Sequence, residues 1–142
     1  NIHETEQMRF KHVAQQLGVG ERVIPISRFD EMPLFYNAID IFVLPTRYDT
    51  FSMSSLEAMA SGLPVIVSSQ AGVSEVIKDG RNGFILHDQR DTIALAELID
   101  LLIVSDNLRK QVGEEARRTA EGLTWYDVAI KVMEVYETLL PR

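Results

Sequence analysis

The chain has 142 residues, 46% hydrophobic and 25% charged, enough for one α/β domain with a proper core and too few for two of ordinary size. Its net charge of −7 supplies no basic stripe to neutralise a nucleic-acid backbone, and no apolar run approaches the roughly 18–20 residues of a membrane span. Cysteine is absent, which excludes disulfides and thiolate metal sites and suits a reducing compartment.

The opening stretch NIHETEQMRFKH is polar, without the apolar centre of a signal peptide. It lacks an initiator Met and reads as the start of a helix, so the chain is expected to be a piece of something longer. Met8, Phe10, Val13, Ala14 and Leu17 recur at helical spacing, and Gly18 and Gly20 close that helix. Val23 to Ile26 reads as a short strand. Asp30 is the expected N-cap of a brief helix holding Leu34, Phe35 and Ala38. Ile41 to Leu44 forms a second apolar segment, closed by Pro45, and a loop from Thr46 to Ser52 leads into a helix through Leu56, Met59 and Ala60 that stops at Gly62. Further strands are expected at Pro64–Val67 and Phe84–Leu86, with a short helix at Val73–Ile77 and a turn at Asp79–Gly83 between them. From Asp91 the chain is helical: one helix to Val104, another from Leu108 to Ala120, and a last from Trp125 to Leu140. Short apolar strands alternating with helices define a doubly wound, Rossmann-like α/β fold with a parallel sheet and a helical carboxyl-terminal region. In such sheets the ligand lies beyond the carboxyl ends of the strands, here the loops after Ile26, Leu44 and Val67.

The stretch LPTRYDTFSMSSLEAMASG, Leu44 to Gly62, carries the chemistry. The first turn of its helix presents amides without internal partners, and small residues at Ser52, Ser54 and Ser55 let a phosphate come close to the backbone. Asp49 and Glu57 flank that anion seat; carboxylates accept hydrogen bonds from paired sugar or ribose hydroxyls. Phosphate donors between hydroxyl acceptors match what a nucleotide-sugar requires.

Asp49-Thr50-Phe51, followed by Glu57-Ala58-Met59-Ala60-Ser61-Gly62-Leu63-Pro64-Val65-Ile66, resembles the signature of the retaining GT-B-fold glycosyltransferases of family 4 type, the glycosyl transferases group 1. The likeness extends through Leu17–Val19, Val23–Arg28, Leu34–Pro45, Gly72–Ile77, Gly83–Leu86 and Trp125–Leu140. It implies that the chain is most of a GT-B carboxyl-terminal donor domain, 1–142, lacking the domain's first strands and the amino-terminal acceptor domain. It further implies that Glu57 accepts from the ribose, that Asp49 faces the donor sugar, and that both belong to the catalytic set. The implied substrate-binding set also includes Thr50 of the same loop; the backbone at Phe51, Ser52, Met53 and Ser54 would hold the diphosphate and sugar, while Ser27-Arg28 would contact the base. No metal or other cofactor is implied, since helix amides and basic side chains neutralise the phosphates. The partners implied are a nucleotide-sugar donor and a glycan or lipid-linked acceptor, in the cytoplasm or at the inner face of the membrane.

Two positions depart from the family pattern: Asp49 stands where Glu is usual, and Ser52 where Gly is usual. If that second position requires φ > 0, Ser52 is strained or the loop takes another path. An Asp at the first position resembles bacterial transferases acting on lipopolysaccharide-type glycans.

Each feature also has a plain structural reading. Ser54-Ser55-Leu56-Glu57 fits a capping box, favoured on the local pattern until the family match outweighs it. Asp49 suits a turn, Phe51 a core anchor, and Arg28 and Arg47 solvated loop positions. His3, His12 and His87 lack ligand spacing, and the serines lack a nucleophile elbow. Trp125 and Tyr126 read as packing residues, with part of the last helix's apolar face bare. The family strand order 3-2-1-4-5-6 would leave Val23–Ile26 without a neighbour, so a rearranged sheet or an oligomer supplying the open edge is expected. The rival functions are a non-catalytic GT-B-like binding or assembly module and a sugar-nucleotide epimerase, although the acids and His of an epimerase are not evident in these loops.

Overall fold

The computed structural model describes residues 2–26 and 29–139, which fall into two compact units, 1–35 and 36–142. In the first unit, helix α1 spans Ile2–Gln16. It ends where the amide of Val19 reaches back to the Ala14 carbonyl, and a single 3-10 turn follows at Gly20–Arg22. The strand expected at Val23–Ile26 does not form: the segment belongs to no strand among the described residues, and Ile24 and Ile26 are exposed. Val23 is extended as β-branching favours. A strand also requires a hydrogen-bonded neighbour, and Pro25 removes one ladder donor from the middle of the segment. Helix α2 spans Met32–Asn37; it starts two residues after Asp30, with Glu31 accepting from the amides of Leu34 and Phe35, and stops before Ala38.

The second unit holds a three-stranded parallel sheet, ordered β1 (Phe42–Leu44), β2 (Val65–Ser68), β3 (Phe84–Leu86). Phe42 pairs with Val65 and Ile66 with Phe84. The expected four strands are thus three among the described residues, and they keep the sequence of the last three in the order 3-2-1-4-5-6. Central β2 is buried along its whole length, as its unbroken run of Val and Ile requires. Ile66 packs with Phe84, Leu86, Leu102 and Val112, each such apolar side chain contributing roughly 1.5–3 kcal/mol by burial. Its neighbours Val65 and Val67 alternate to the other face of the sheet.

Helix α3 (Met53–Ala60) connects β1 to β2. It ends at Gly62, whose φ of 79° lets the chain reverse into β2. Helix α4 (Thr92–Val104) begins at Asp91, whose carboxylate accepts from the amides of Ile93 and Ala94. Helix α5 (Asp106–Glu121) is capped by Ser105 and buries Val112, Gly113, Ala116 and Ala120, a stripe of small residues that permits close approach to its neighbours. Between β2 and β3, buried Asn82 accepts from the Lys78 amide at 2.6 Å and donates to the Val76 carbonyl and the Thr119 hydroxyl, tying that turn to α5. The last helix, α6 (Trp125–Leu139), buries none of its residues. Trp125 and Tyr126, expected as packing residues, are 77% and 74% exposed. No helix of the described residues is long and apolar enough to cross a membrane.

Candidate functional site

Three parallel strands place their following loops at one edge of the sheet, where ligands of doubly wound folds lie. The loop after β1 is held there from several sides. Ser68, at the end of β2, donates its hydroxyl to the Thr46 carbonyl at 2.6 Å. Asp49 makes a parallel bridge to Ala71: its amide donates to the Gln70 carbonyl at 3.4 Å, and its carbonyl accepts from Gly72 at 3.0 Å. This approach requires Gly72, because a Cβ there would stand 2.1 Å from the Thr50 carbonyl oxygen. The Asp49 carboxylate accepts from the amide of Phe51 at 3.2 Å and closes an Asx turn. The turn role and a half-buried carboxylate therefore coexist at Asp49.

Ser52 is the pivot. It takes φ 71° and ψ 79°, the left-handed conformation for which glycine is usual, and it is the N-cap of α3. A side chain in that region costs roughly 1–2 kcal/mol. The compensation is local: the Ser52 hydroxyl accepts from the Ser55 amide and hydrogen-bonds the Ser55 hydroxyl at 2.7 Å, both serines being buried. Of the two alternatives open to Ser52, the loop takes the one with a strained, left-handed serine. The cap also corrects the capping-box reading, since the helix starts at Met53 and Ser54 lies within its first turn.

Glu57 accordingly is not at N3. It sits two residues further along α3, at the fifth helical position, and its Oε2 accepts from the hydroxyl of Tyr36 at 2.9 Å. Burial, then the hydrogen bond and charge of Glu57, push the Tyr36 phenol up to about 12. Tyr36 and Gly72 were not among the expected site residues; no local pattern relates a Tyr to a Glu 21 positions later.

Met53 and Ser54 occupy the first turn of α3, where amides have no intrahelical acceptor and the helix dipole favours an anion. The carboxylates of Asp49, before that turn, and Glu57, after it, can accept from hydroxyls. Thr50 and Arg47 are exposed in the same loop. Ser27 and Arg28 lie outside the described residues. Phe51, Met53 and Leu56 also form one wall of an apolar groove of about 350 Å³, with Leu123, Trp125 and Val128 opposite. Among the described residues no three His, Asp or Glu side chains are grouped to hold a metal ion.

The sequence model for glycosyl transferases group 1 matches residues 3–119. The chain belongs to that family. This group 1 domain is 38% identical over 109 residues to spore coat protein SA of Bacillus subtilis, covering 75% of the chain and 29% of that protein. It is 30% identical over 133 residues to a D-inositol 3-phosphate glycosyltransferase of Xylanimonas cellulosilytica, covering 92% of the chain and 31% of the relative. The group 1 domain thus spans less than a third of these relatives. Among solved structures, sucrose-phosphate synthase of Thermosynechococcus elongatus matches with a TM-score of 0.82 and 27% identity, over 95% of this chain and 34% of that one. Anabaena HepE, solved in complex with UDP-glucose, matches in fold with a TM-score of 0.80 and 23% identity, over 96% of this chain and 37% of that one.

Proposed function

We propose that this group 1 domain is most of the donor-binding half of a retaining, family 4 type glycosyltransferase that moves a sugar from a nucleoside diphosphate to a glycan or lipid-linked acceptor. The observation that carries the reading is the amino end of α3, which opens at the carboxyl edge of the sheet with an acid on either side, Asp49 and Glu57. In this reading the first-turn amides at Met53 and Ser54, with the backbone of Phe51 and Ser52, hold the diphosphate. Asp49 faces the donor sugar, and Glu57 accepts from the ribose. Ser27-Arg28 contacts the base, and no metal takes part because the helix amides supply the neutralising field. The likeness to a D-inositol 3-phosphate glycosyltransferase and to a fold neighbour solved with UDP-glucose supports a nucleotide-sugar as ligand. The acceptor is held by the part of the full-length protein beyond this domain, which works in the cytoplasm or at the inner membrane face.

Calorimetric titration of the chain with UDP, GDP and ADP, with and without EDTA, tests this. One diphosphate is expected to bind best and to be insensitive to EDTA, with Glu57→Ala weakening it by about tenfold, the equivalent of one lost charge-assisted hydrogen bond. No binding to any of the three, also in the full-length protein, would favour a non-catalytic module. In the full-length protein the anomeric configuration of the product, read by NMR, decides retention against inversion.

A further inference from the structure

Glu57 is exposed on α3, a position where a glutamate ordinarily samples several rotamers. Here it does not stand alone. Tyr36, at the end of α2, is 2% exposed, and its phenol oxygen lies 2.9 Å from Glu57 Oε2. The ring of Tyr36 is itself held against that of Phe42, with centroids 6.1 Å apart and planes inclined at 59°. Phe42 begins β1, so the phenol is anchored to the sheet whose edge carries the site. Glu57 Oε1 makes no hydrogen bond among the described residues. An ionised carboxylate offers about four lone-pair sites, of which the phenol occupies one.

We infer that Tyr36 is a positioning residue for Glu57: its buried hydroxyl fixes one carboxylate oxygen and leaves the other aimed at the vicinal hydroxyls of a ribose. The inference rests on the reading of Glu57 as a ribose ligand. Its physical content is preorganisation. A carboxylate already held in one rotamer loses less freedom when the ligand binds, and a protonated phenol donates without bringing a competing charge. The high proton affinity of the Tyr36 phenol keeps that donor in place throughout the neutral range.

The test is calorimetry on the 142-residue chain with UDP, GDP and ADP, each beside its 2′,3′-dideoxy counterpart, for the unsubstituted chain, Tyr36→Phe, Glu57→Ala and the double variant. For the best-binding diphosphate, Tyr36→Phe is expected to weaken affinity about three- to tenfold while leaving the dideoxy compound unaffected, and to add nothing in the Glu57→Ala background. Equal losses on the ribose and dideoxy compounds would mark Tyr36 as a packing residue and overturn the inference. A loss with Glu57→Ala but none with Tyr36→Phe would also overturn it, leaving the ribose reading intact. Indifference of every diphosphate to Glu57→Ala overturns the ribose reading and the inference together. A measurement that needs no variant is the Tyr36 hydroxyl proton by NMR. It should shift on adding the ribose diphosphate and not its dideoxy counterpart; an unmoved resonance with ligand bound refutes the positioning role.

Discussion

Substitution of Gly72 by alanine probes how the donor loop is held. The added methyl would lie 2.1 Å from the Thr50 carbonyl oxygen and 3.2 Å from Phe51 Cα. Relief requires the two loops to part by about 1 Å, since overpacked contacts are resolved by backbone shifts costing roughly 1–3 kcal/mol. That movement strains the bond from the Gly72 amide to Asp49 and the bond from the Asp49 amide to Gln70, each contributing about 1 kcal/mol. Alanine returns roughly 0.4–1 kcal/mol by narrowing the unfolded ensemble. The net destabilisation expected is about 2–4 kcal/mol, read as a lower urea midpoint at unchanged slope. Gly113→Ala supplies the control, because its methyl would meet the Gly62 carbonyl oxygen at the same 2.1 Å, on the α5 side of the fold. There the helix regains about 1 kcal/mol of propensity, so a loss of about 1–3 kcal/mol is expected. Nucleotide affinity separates the two: Gly72→Ala should reduce it about tenfold or more, whereas Gly113→Ala should leave it unchanged under conditions where both are folded. Equal effects of the two substitutions on affinity would refute the view that Gly72 acts by placing the Asp49 loop.

Ser52→Gly should remain within about 0.5 kcal/mol of the parent in urea unfolding, because relief of the left-handed strain offsets the lost cap. Ser52→Ala keeps the strain and loses the hydroxyl shared with Ser55, so a loss of about 1–2 kcal/mol is expected; an alanine variant as stable as the glycine one would contradict the assignment of φ 71° to this residue. The Tyr36 phenol, raised to about 12 from 10.0, contributes stability present below pH 10 and lost as pH rises from 10 towards 12, since only the unfolded chain releases that proton in the window. Tyr36→Phe should flatten this alkaline limb in pH-dependent unfolding, and Glu57→Gln should let the phenol titrate at lower pH by NMR. Amide exchange should be slowest along buried β2 and fast throughout α6, a 15-residue helix with no buried residue; strong protection in α6 would reveal a partner for its apolar face.

Much of this fold was legible from residue order alone. The bounds of β3, the stop of α3 at Gly62 and the start of α4 at Asp91 follow from local chemistry: an apolar run between turn residues, a left-handed glycine, an acid ahead of a helical pattern. Family membership was legible for the same reason, because the stretch from Asp49 to Ile66 is contiguous. What failed depended on neighbours distant in sequence. Val23–Ile26 has strand-forming residues, yet a strand exists only through a ladder, and that is a tertiary property. Ser54 and Glu57 have the spacing of a capping box, but the loop's bridge to Ala71 and the left-handed Ser52 move the cap two residues earlier. Part of the last helix's apolar face was expected to be bare, but Trp125 and Tyr126 are hydrophobic enough for a core, and nothing local indicates that these two are among the exposed residues. The partnership of Tyr36 with Glu57, 21 positions apart, likewise arises only when the end of α2 is packed beside α3. Sequence alone determined the element bounds set by adjacent residues, those of β3, the end of α3 and the start of α4, and which loop carries the acids. Tertiary structure decided which group holds each acid, because that depends on burial and distance across the fold.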